Sequence, residues 1–336
     1  VTFDMGGTST DVCLVLDGAP APAAQREVAG LPVRLPSLDI HTIGAGGGSI
    51  ARIDPGGALA VGPRSAGAVP GPACYGRGGT APTVTDADLV LGRIPAGAAF
   101  PGLGALDVDA AASALADAGV GAEGVIAVVD AAMEQAIRAV TVERGVDPRP
   151  LALVAFGGAG PLHACALAEA LGMAAVIVPP RAGVLSAVGL LCAPLQHDIV
   201  QSWPTPRDHD GLEDAHVKLA AAASAAVGGG ATVDLSVDCR YEGQSHELTV
   251  AAIADFEAEH ARRNGYARPG APIEVVALRA RAVAAVPVDV TALPVPKREP
   301  VLGPAVVSEP DCTVYVPAGW RAEVEGEVGA WILRRT

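Results

Sequence analysis

The sequence predicts an α/β lobe over residues 1–205, followed by a smaller β-rich C-terminal domain over residues 206–336. Three observations carry this. An apolar strand at Leu151–Phe156 runs through Gly157, Gly158, Ala159 and Gly160 into a helix and then a second buried strand, Ala174–Val178, which is a strand–loop–helix–strand unit. Just before it, Ile126, Val129, Met133, Ile137 and Val140 recur at helical spacing. Beyond residue 205 the texture changes to short strands, after one alanine-rich helix at 214–227.

Taken in order, Val1–Met5 reads as a strand, Gly6-Gly7 as a turn and Ser9–Leu16 as the returning strand, closed by Asp17-Gly18. Residues 18–36, rich in Pro and Ala, read as a connection. His41 to Ser49 is too glycine-rich for regular structure. Residues 50–61 form a hairpin around Asp54-Pro55-Gly56-Gly57. Residues 62–86 are a long Gly/Pro segment, and a loop of that length inside a domain is usually functional or faces a partner. A short helix is expected at 107–118. The next helix ends at Gly145 and Pro148, and Pro161 suits the first position of the helix that follows the second glycine loop. In the tail, strands are expected at 233–241, 247–252 and 273–283, and through 305–333.

Half of the 336 residues are hydrophobic and only 3% are aromatic, so Ala, Val and Leu must fill the core. A formal net charge of −14 disfavours nucleic-acid and anionic-membrane partners. No apolar run approaches the ~18 residues of a membrane span. The six cysteines are dispersed, without a C-x-x-C pair, which fits free thiols in a reducing, cytoplasmic setting and argues against structural zinc. The chain opens inside a strand without an initiator Met or signal peptide, so an upstream segment is expected.

Two segments carry chemistry. In Phe3-Asp4-Met5-Gly6-Gly7-Thr8-Ser9-Thr10-Asp11 a strand-end carboxylate stands beside a glycine turn. The amides of such a turn form an anion nest, and the carboxylate can hold a magnesium ion through water. The expectation is that Asp4 supports the metal while Gly6, Gly7, Thr8, Ser9 and Thr10 bind phosphate; the alternative is a polar hairpin turn. In the second segment, Gly157, Gly158, Ala159 and Gly160 lie between a strand and a helix N-terminus, where a ligand can approach the backbone. It lacks the third glycine of a dinucleotide fingerprint and the G-K-[ST] of a Walker loop. His163 reads as a structural hydrogen-bonder more readily than a catalyst, Cys74 as a buried thiol, and Arg240 and Glu242 as strand-surface charges. The Gly44–Ser49 loop, with His41 beside it, is a second anion or substrate contact or else a connector.

The two segments lie about 150 residues apart, in the order of the second phosphate loop and the adenosine loop of the actin/hexokinase/Hsp70 ATPases. Together with His41 to Ile50, Ser65 to Gly76, Thr83 to Ala87, Ser186 to Gly189, Arg240 to Gln244 and Gly303 to Val307, they resemble the hydantoinase A/oxoprolinase family. That family includes the A-type subunit of N-methylhydantoinase and the acetone carboxylase beta subunit. The resemblance covers essentially the whole chain and implies an actin/hexokinase-like (ribonuclease H-like) ATPase lobe using ATP and Mg²⁺. Family members carry an earlier domain with its own D-x-G-G-T loop. No second copy occurs here, so the resemblance is to the central and C-terminal parts, and the chain by itself should turn over ATP slowly at most.

The implied reaction is ATP-dependent opening of a cyclic amide of hydantoin or oxoproline type through phosphorylation of its carbonyl oxygen. The alternatives are the beta subunit of a ketone carboxylase and a non-catalytic remnant. On this reading Asp4 is the catalytic and metal-supporting residue, Gly157–Gly160 approaches adenosine, and a hydantoinase B-type subunit or domain is the partner. The Asp4–Thr10 turn and the Phe156–His163 loop should then face one cavity.

Overall fold

The computed structural model describes residues 1–336 other than 24–25, 29–30, 34–36, 98 and 101–102. Residues 24–25, 29–30 and 34–36 of the 18–36 connection therefore lie outside the described residues. The chain divides into two units, one formed by Val1–Val188 with Leu293–Thr336 and the other by Gly189–Ala292.

The first unit begins with a hairpin, β1 (Thr2–Met5) and β2 (Thr10–Cys13), continued by β3 (Ile40–Ile43). Alternation decides its faces: Phe3, Met5, Thr10 and Val12 point into the core, while Thr2, Asp4 and Asp11 point away from it. The next hairpin pairs β4 (Ser49–Ile53) with β5 (Leu59–Ser65), and Asp54 Oδ1 accepts from the amides of Gly56 and Ala58 in the expected turn. Helix α1 (Val84–Val90) begins inside the segment that the sequence alone marks as loop. Thr83 and Asp86 cap its start reciprocally, and the fully buried Asp86 also accepts from the amides of Ala73 (3.2 Å) and Cys74 (2.8 Å). One carboxylate thus ties the long Gly/Pro segment to a helix start.

Helix α2 (Val108–Asp117) is capped by Asp107, and α3 (Ala122–Val140) buries all five residues of the helical repeat. Then come β6 (Ala152–Phe156), α4 (Gly160–Ala170) with proline in its first turn, and β7 (Ala175–Val178). Strands β1, β6 and β7 are parallel neighbours, with Asp4 level with Phe156. Met133 and Ile137 of α3 and Leu167 of α4 pack with Phe3, Met5 and Val12 in one apolar core. Helix α5 (Leu185–Cys192) follows.

The second unit is an antiparallel sheet of β8 (Gln196–Ser202), β9 (Thr232–Tyr241), β10 (Leu248–Val250) and β11 (Ile273–Val283), in the order β8-β11-β9-β10. Helix α6 (Leu212–Ala226) buries Leu219 and Ala223 in its core, and α7 (Phe256–Asn264) contributes Phe256 and His260. The Arg240–Gln244 segment serves that core. Tyr241 packs edge-on against Phe256 and His260, Gln244 Nε2 lies 3.2 Å from His260 Nε2, and Arg240 pairs with Glu274 at 2.9 Å.

The expected boundary at 205 differs from this division. After β12 (Val301–Leu302), β13 (Ala305–Ser308) and β14 (Thr313–Val316), strands β15 (Trp320–Val324) and β16 (Trp331–Arg335) return to the first sheet, where β16 runs antiparallel beside β7. The eight-stranded order is β12-β15-β16-β7-β6-β1-β2-β3. The tail is therefore part of the first unit, and the β-rich domain is an insertion. Period-2 alternation shows that 305–333 is stranded but not which sheet it joins.

His163 is fully buried at the start of α4. Its Nδ1 lies 2.7 Å from Asp130 Oδ1 on α3, and its Nε2 lies 3.3 Å from Asp88 Oδ2 on α1. Burial alone would lower its pKa, but the two carboxylates override this and raise it to about 10. The imidazolium clamps three helices, as the structural reading of His163 expected. Because the folded-state value is raised, its stabilisation is complete below the ordinary value of 6.5 and is lost as pH rises through about 10. His163→Gln is expected to destabilise by about 3–5 kcal/mol, since it strands the buried Asp88 carboxylate. Denaturant unfolding of both proteins checks this: their difference should shrink between pH 7 and 10, and a difference independent of pH would contradict it.

Candidate functional site

The parallel pairing of β1 with β6 brings the two glycine segments to the same sheet end. Ala159 donates its amide to Met5 O (3.0 Å), and Gly157, at φ +79°, lies directly against Met5 and Asp4. A Cβ on Gly157 would come within 2.6 Å of the Met5 carbonyl carbon and closer still to Asp4 Oδ1. The Asp4–Thr10 turn and the Phe156–His163 loop are thus adjacent, far closer than the roughly 20 Å that a single small-molecule pocket spans.

In the first turn Gly6 donates to Ser9 O (3.1 Å), while the amides of Gly7, Thr8 and Ser9 donate no hydrogen bond among the described residues. Three consecutive unengaged amides require water or an anion. Gly7 and Thr8 are exposed and Gly6 and Ser9 partly so. Thr10 is different. Its hydroxyl donates to Ala45 O at 2.6 Å and is 0% exposed, so its side chain is a structural fastener and not a phosphate donor. In the second loop Gly157 and Gly160 are buried, while Gly158 is exposed, with nothing near the position of a Cβ.

The Gly44–Ser49 loop is neither a connector nor an open anion contact. Residues 45–49 are buried, and Gly47 and Gly48 donate to Gly6 O (2.9 Å) and Gly7 O (2.6 Å). A Cβ on Gly46 would stand 2.6 Å from Thr8 N. Thr85 closes the stack, donating its amide (2.8 Å) and hydroxyl (2.9 Å) to Gly47 O. These glycines are required so that one backbone layer can lie directly beneath another. Ser65 Oγ lies 3.3 Å from Thr8 Oγ1 and accepts from Gly67 N at 3.1 Å, joining the long Gly/Pro segment to the turn.

Asp4 lines a surface cavity with Asp11, Thr42, Phe156 and Ser186. Its Oδ2 accepts from Ser186 Oγ at 2.7 Å. Burial raises its pKa above the usual carboxylate value, the Ser186 bond opposes this, and the charge of Asp11 adds to it. Neither Asp4 nor Asp11 forms an ion pair among the described residues. Two carboxylates and two hydroxyls form an all-oxygen donor set, the kind that suits Mg²⁺. Sequence reasoning assigns no role to Asp11, Thr42, Ser65 or Ser186, although parity along the hairpin already places Asp11 on the face of Asp4. Cys74 is buried, and burial together with Asp86 pushes its thiol far above the ordinary range, so it is no nucleophile.

The hydantoinase/oxoprolinase family profile matches residues 1–199. The chain belongs to that family. Among its relatives, the caprolactamase alpha subunit of Pseudomonas jessenii is 32% identical over 394 aligned positions, which cover 97% of this chain and 57% of the relative. The 5-oxoprolinase PfmaA of Pestalotiopsis fici is 41% identical over 220, covering 59% and 17%. The nucleotide-free structure of acetone carboxylase, from work on ATP-dependent acetone carboxylation, superposes with a TM-score of 0.82 at 25% identity, covering 100% of this chain and 58% of that one. The fold is therefore the actin-like ATPase fold of these hydantoinase/oxoprolinase relatives. The chain spans somewhat more than half the length of the first two proteins of this kind that match along nearly all of it.

Proposed function

We propose that this hydantoinase/oxoprolinase chain forms the nucleotide-binding part of an ATP-dependent amidohydrolase that opens a cyclic amide. The observation that carries this reading is the meeting of Asp4, three unengaged amides and the Gly157–Gly160 loop at neighbouring ends of β1 and β6. A ring amide resists water because its nitrogen is a poor leaving group and its carbon is weakly electrophilic. Attack of the amide oxygen on the γ-phosphorus of ATP expels ADP and leaves an O-phosphorylated imidate. Water then adds to the activated carbon, the ring C–N bond breaks as a proton is delivered to nitrogen, and a second water hydrolyses the resulting acyl phosphate to the carboxylate and phosphate. Such transfers depend on positioning and charge neutralisation more than on covalent catalysis by the protein.

Gly7, Thr8 and Ser9 would orient the phosphates through their amides, and Gly158 would leave room for the adenosine. Asp4 would hold Mg²⁺, which when bound neutralises phosphate charge. The partner is a hydantoinase B-type subunit or domain, and the assembly is cytoplasmic, in keeping with six free thiols.

A second reading, the beta subunit of an ATP-dependent ketone carboxylase, draws on the higher structural similarity to acetone carboxylase (TM-score 0.82) than to the ATP-dependent caprolactamase of P. jessenii (0.70). The test is ATP hydrolysis by the native assembly, measured separately with oxoproline, hydantoin, caprolactam, and acetone plus bicarbonate. Stimulation by a cyclic amide with stoichiometric ring opening is expected. Stimulation only by the ketone and bicarbonate would transfer the protein to the second reading.

A further inference from the structure

We propose that Asp11 is a positioning residue for the magnesium-supporting Asp4, so that two cross-strand carboxylates acting together retain the cation. This rests on the assignment of Asp4 made above and extends it to a residue that the family resemblance left without a role.

The geometry starts from the hairpin register. Asp4 on β1 stands opposite Asp11 on β2, and Asp11 stands opposite Thr42 on β3. Side chains at directly opposed positions lie on one face, with Cβ atoms about 4.5–5.5 Å apart. That face is turned away from the apolar core, and Asp4, Asp11, Thr42 and Ser186 line one cavity on it. Each carboxylate is held by a hydroxyl through one oxygen. Ser186 Oγ donates to Asp4 Oδ2 (2.7 Å), and Thr42 Oγ1 donates to Asp11 Oδ1 (2.5 Å). Asp4 Oδ1 and Asp11 Oδ2 accept no hydrogen bond among the described residues.

Placing like charges on directly opposed strand positions is destabilising, and no cationic side chain pairs with either group among the described residues. The burial of Asp4 makes the repulsion less well screened. A hydrated divalent cation near both groups removes that penalty, and Asp11 then acts from the outer shell, its negative charge holding the hydrated cation against the Asp4 that Ser186 orients.

The test is Mn²⁺ binding, followed by its EPR signal, to the complete native polypeptide saturated with ADP, beside ADP affinity measured without metal. Asp11→Asn, which keeps the acceptor for Thr42, is expected to weaken Mn²⁺ about 10–100-fold, the usual cost of losing such a partner. Metal-free ADP affinity should hold or improve, since a negative charge is removed. Asp11→Glu, which keeps the charge, should stay within about threefold of the native protein on the same scale. Asp11→Ser is a second neutral variant, read in the same way should Asp11→Asn fail to fold.

If Asp11→Asn binds Mn²⁺ normally while Asp4→Asn loses it, the proposal for Asp11 is overturned and the assignment of Asp4 stands. If neither variant changes Mn²⁺ affinity, both fall. Equal loss of Mn²⁺ and metal-free ADP binding in Asp11→Asn would mean a merely structural role, and it too would overturn the proposal.

Discussion

Asp4→Asn in the complete polypeptide is expected to lower ATP turnover at least about a hundredfold, equivalent to ~3 kcal/mol or more of transition-state stabilisation. The amide is isosteric with the carboxylate and can still accept from Ser186 Oγ, so the 2.7 Å contact and the β1–β6 pairing should survive. What disappears is the fixed negative charge that would hold Mg²⁺ against the phosphates. Steady-state ATPase assays at saturating Mg²⁺ and cyclic amide, run beside thermal melting, check this. Turnover within tenfold of the native protein at an unchanged melting temperature would remove Asp4 from the mechanism.

A second large effect is expected from one glycine, with its neighbour as the control. Gly157→Ala combines a left-handed backbone (φ +79°) with a Cβ driven into Met5 O and Asp4 Oδ1. Left-handed strain costs about 1–2 kcal/mol and overpacking about 1–3 more, so destabilisation of about 2–5 kcal/mol should appear in denaturant titration. Gly158→Ala meets open space and should leave stability within about 0.5 kcal/mol, the usual range for surface changes. If the adenosine lies over this loop, Gly158→Ala should nonetheless weaken ATP binding. Equal stability loss in the two variants would contradict the packing of Gly157, and unchanged ATP affinity in Gly158→Ala would remove the loop from the nucleotide site.

Much of this was legible in the sequence because it is local. The repeat from Ile126 to Val140 reports which helix face is buried, and a glycine run between an apolar strand and an apolar helix reports a strand–loop–helix connection. The adjacency of Asp4 and Gly157 came from the order and wording of two motifs. What stayed hidden is set by contacts distant in the chain. Nothing within Trp331–Arg335 says that its partner is Ala175–Val178, with 152 residues between Val178 and Trp331 and a whole folded unit among them. The polar Thr10 reads as a ligand donor when its hydroxyl is judged by type and not by parity. It shares a face with Val12, and that face is the core. The buried role of Gly44–Ser49 was equally unreadable, since glycine permits both a mobile connection and the closest backbone stacking.

The return of β16 to the edge of β7 sets a timetable for synthesis. When β7 leaves the ribosome its outer edge has no partner until the 152 residues between Val178 and Trp331 have been made. At ~5–20 residues per second that interval is roughly 8–30 s. During it the inserted unit, whose strands are contiguous in sequence, has everything it needs to fold, while the sheet bearing both glycine loops keeps an apolar strand open to pairing with other nascent chains. A ribosome stalled within residues 293–319 would therefore hold a polypeptide that has both loops and the whole insertion but an unfinished sheet. The yield of assembled protein in a cell should then depend on elongation speed through that stretch and on chaperone access to one exposed strand edge.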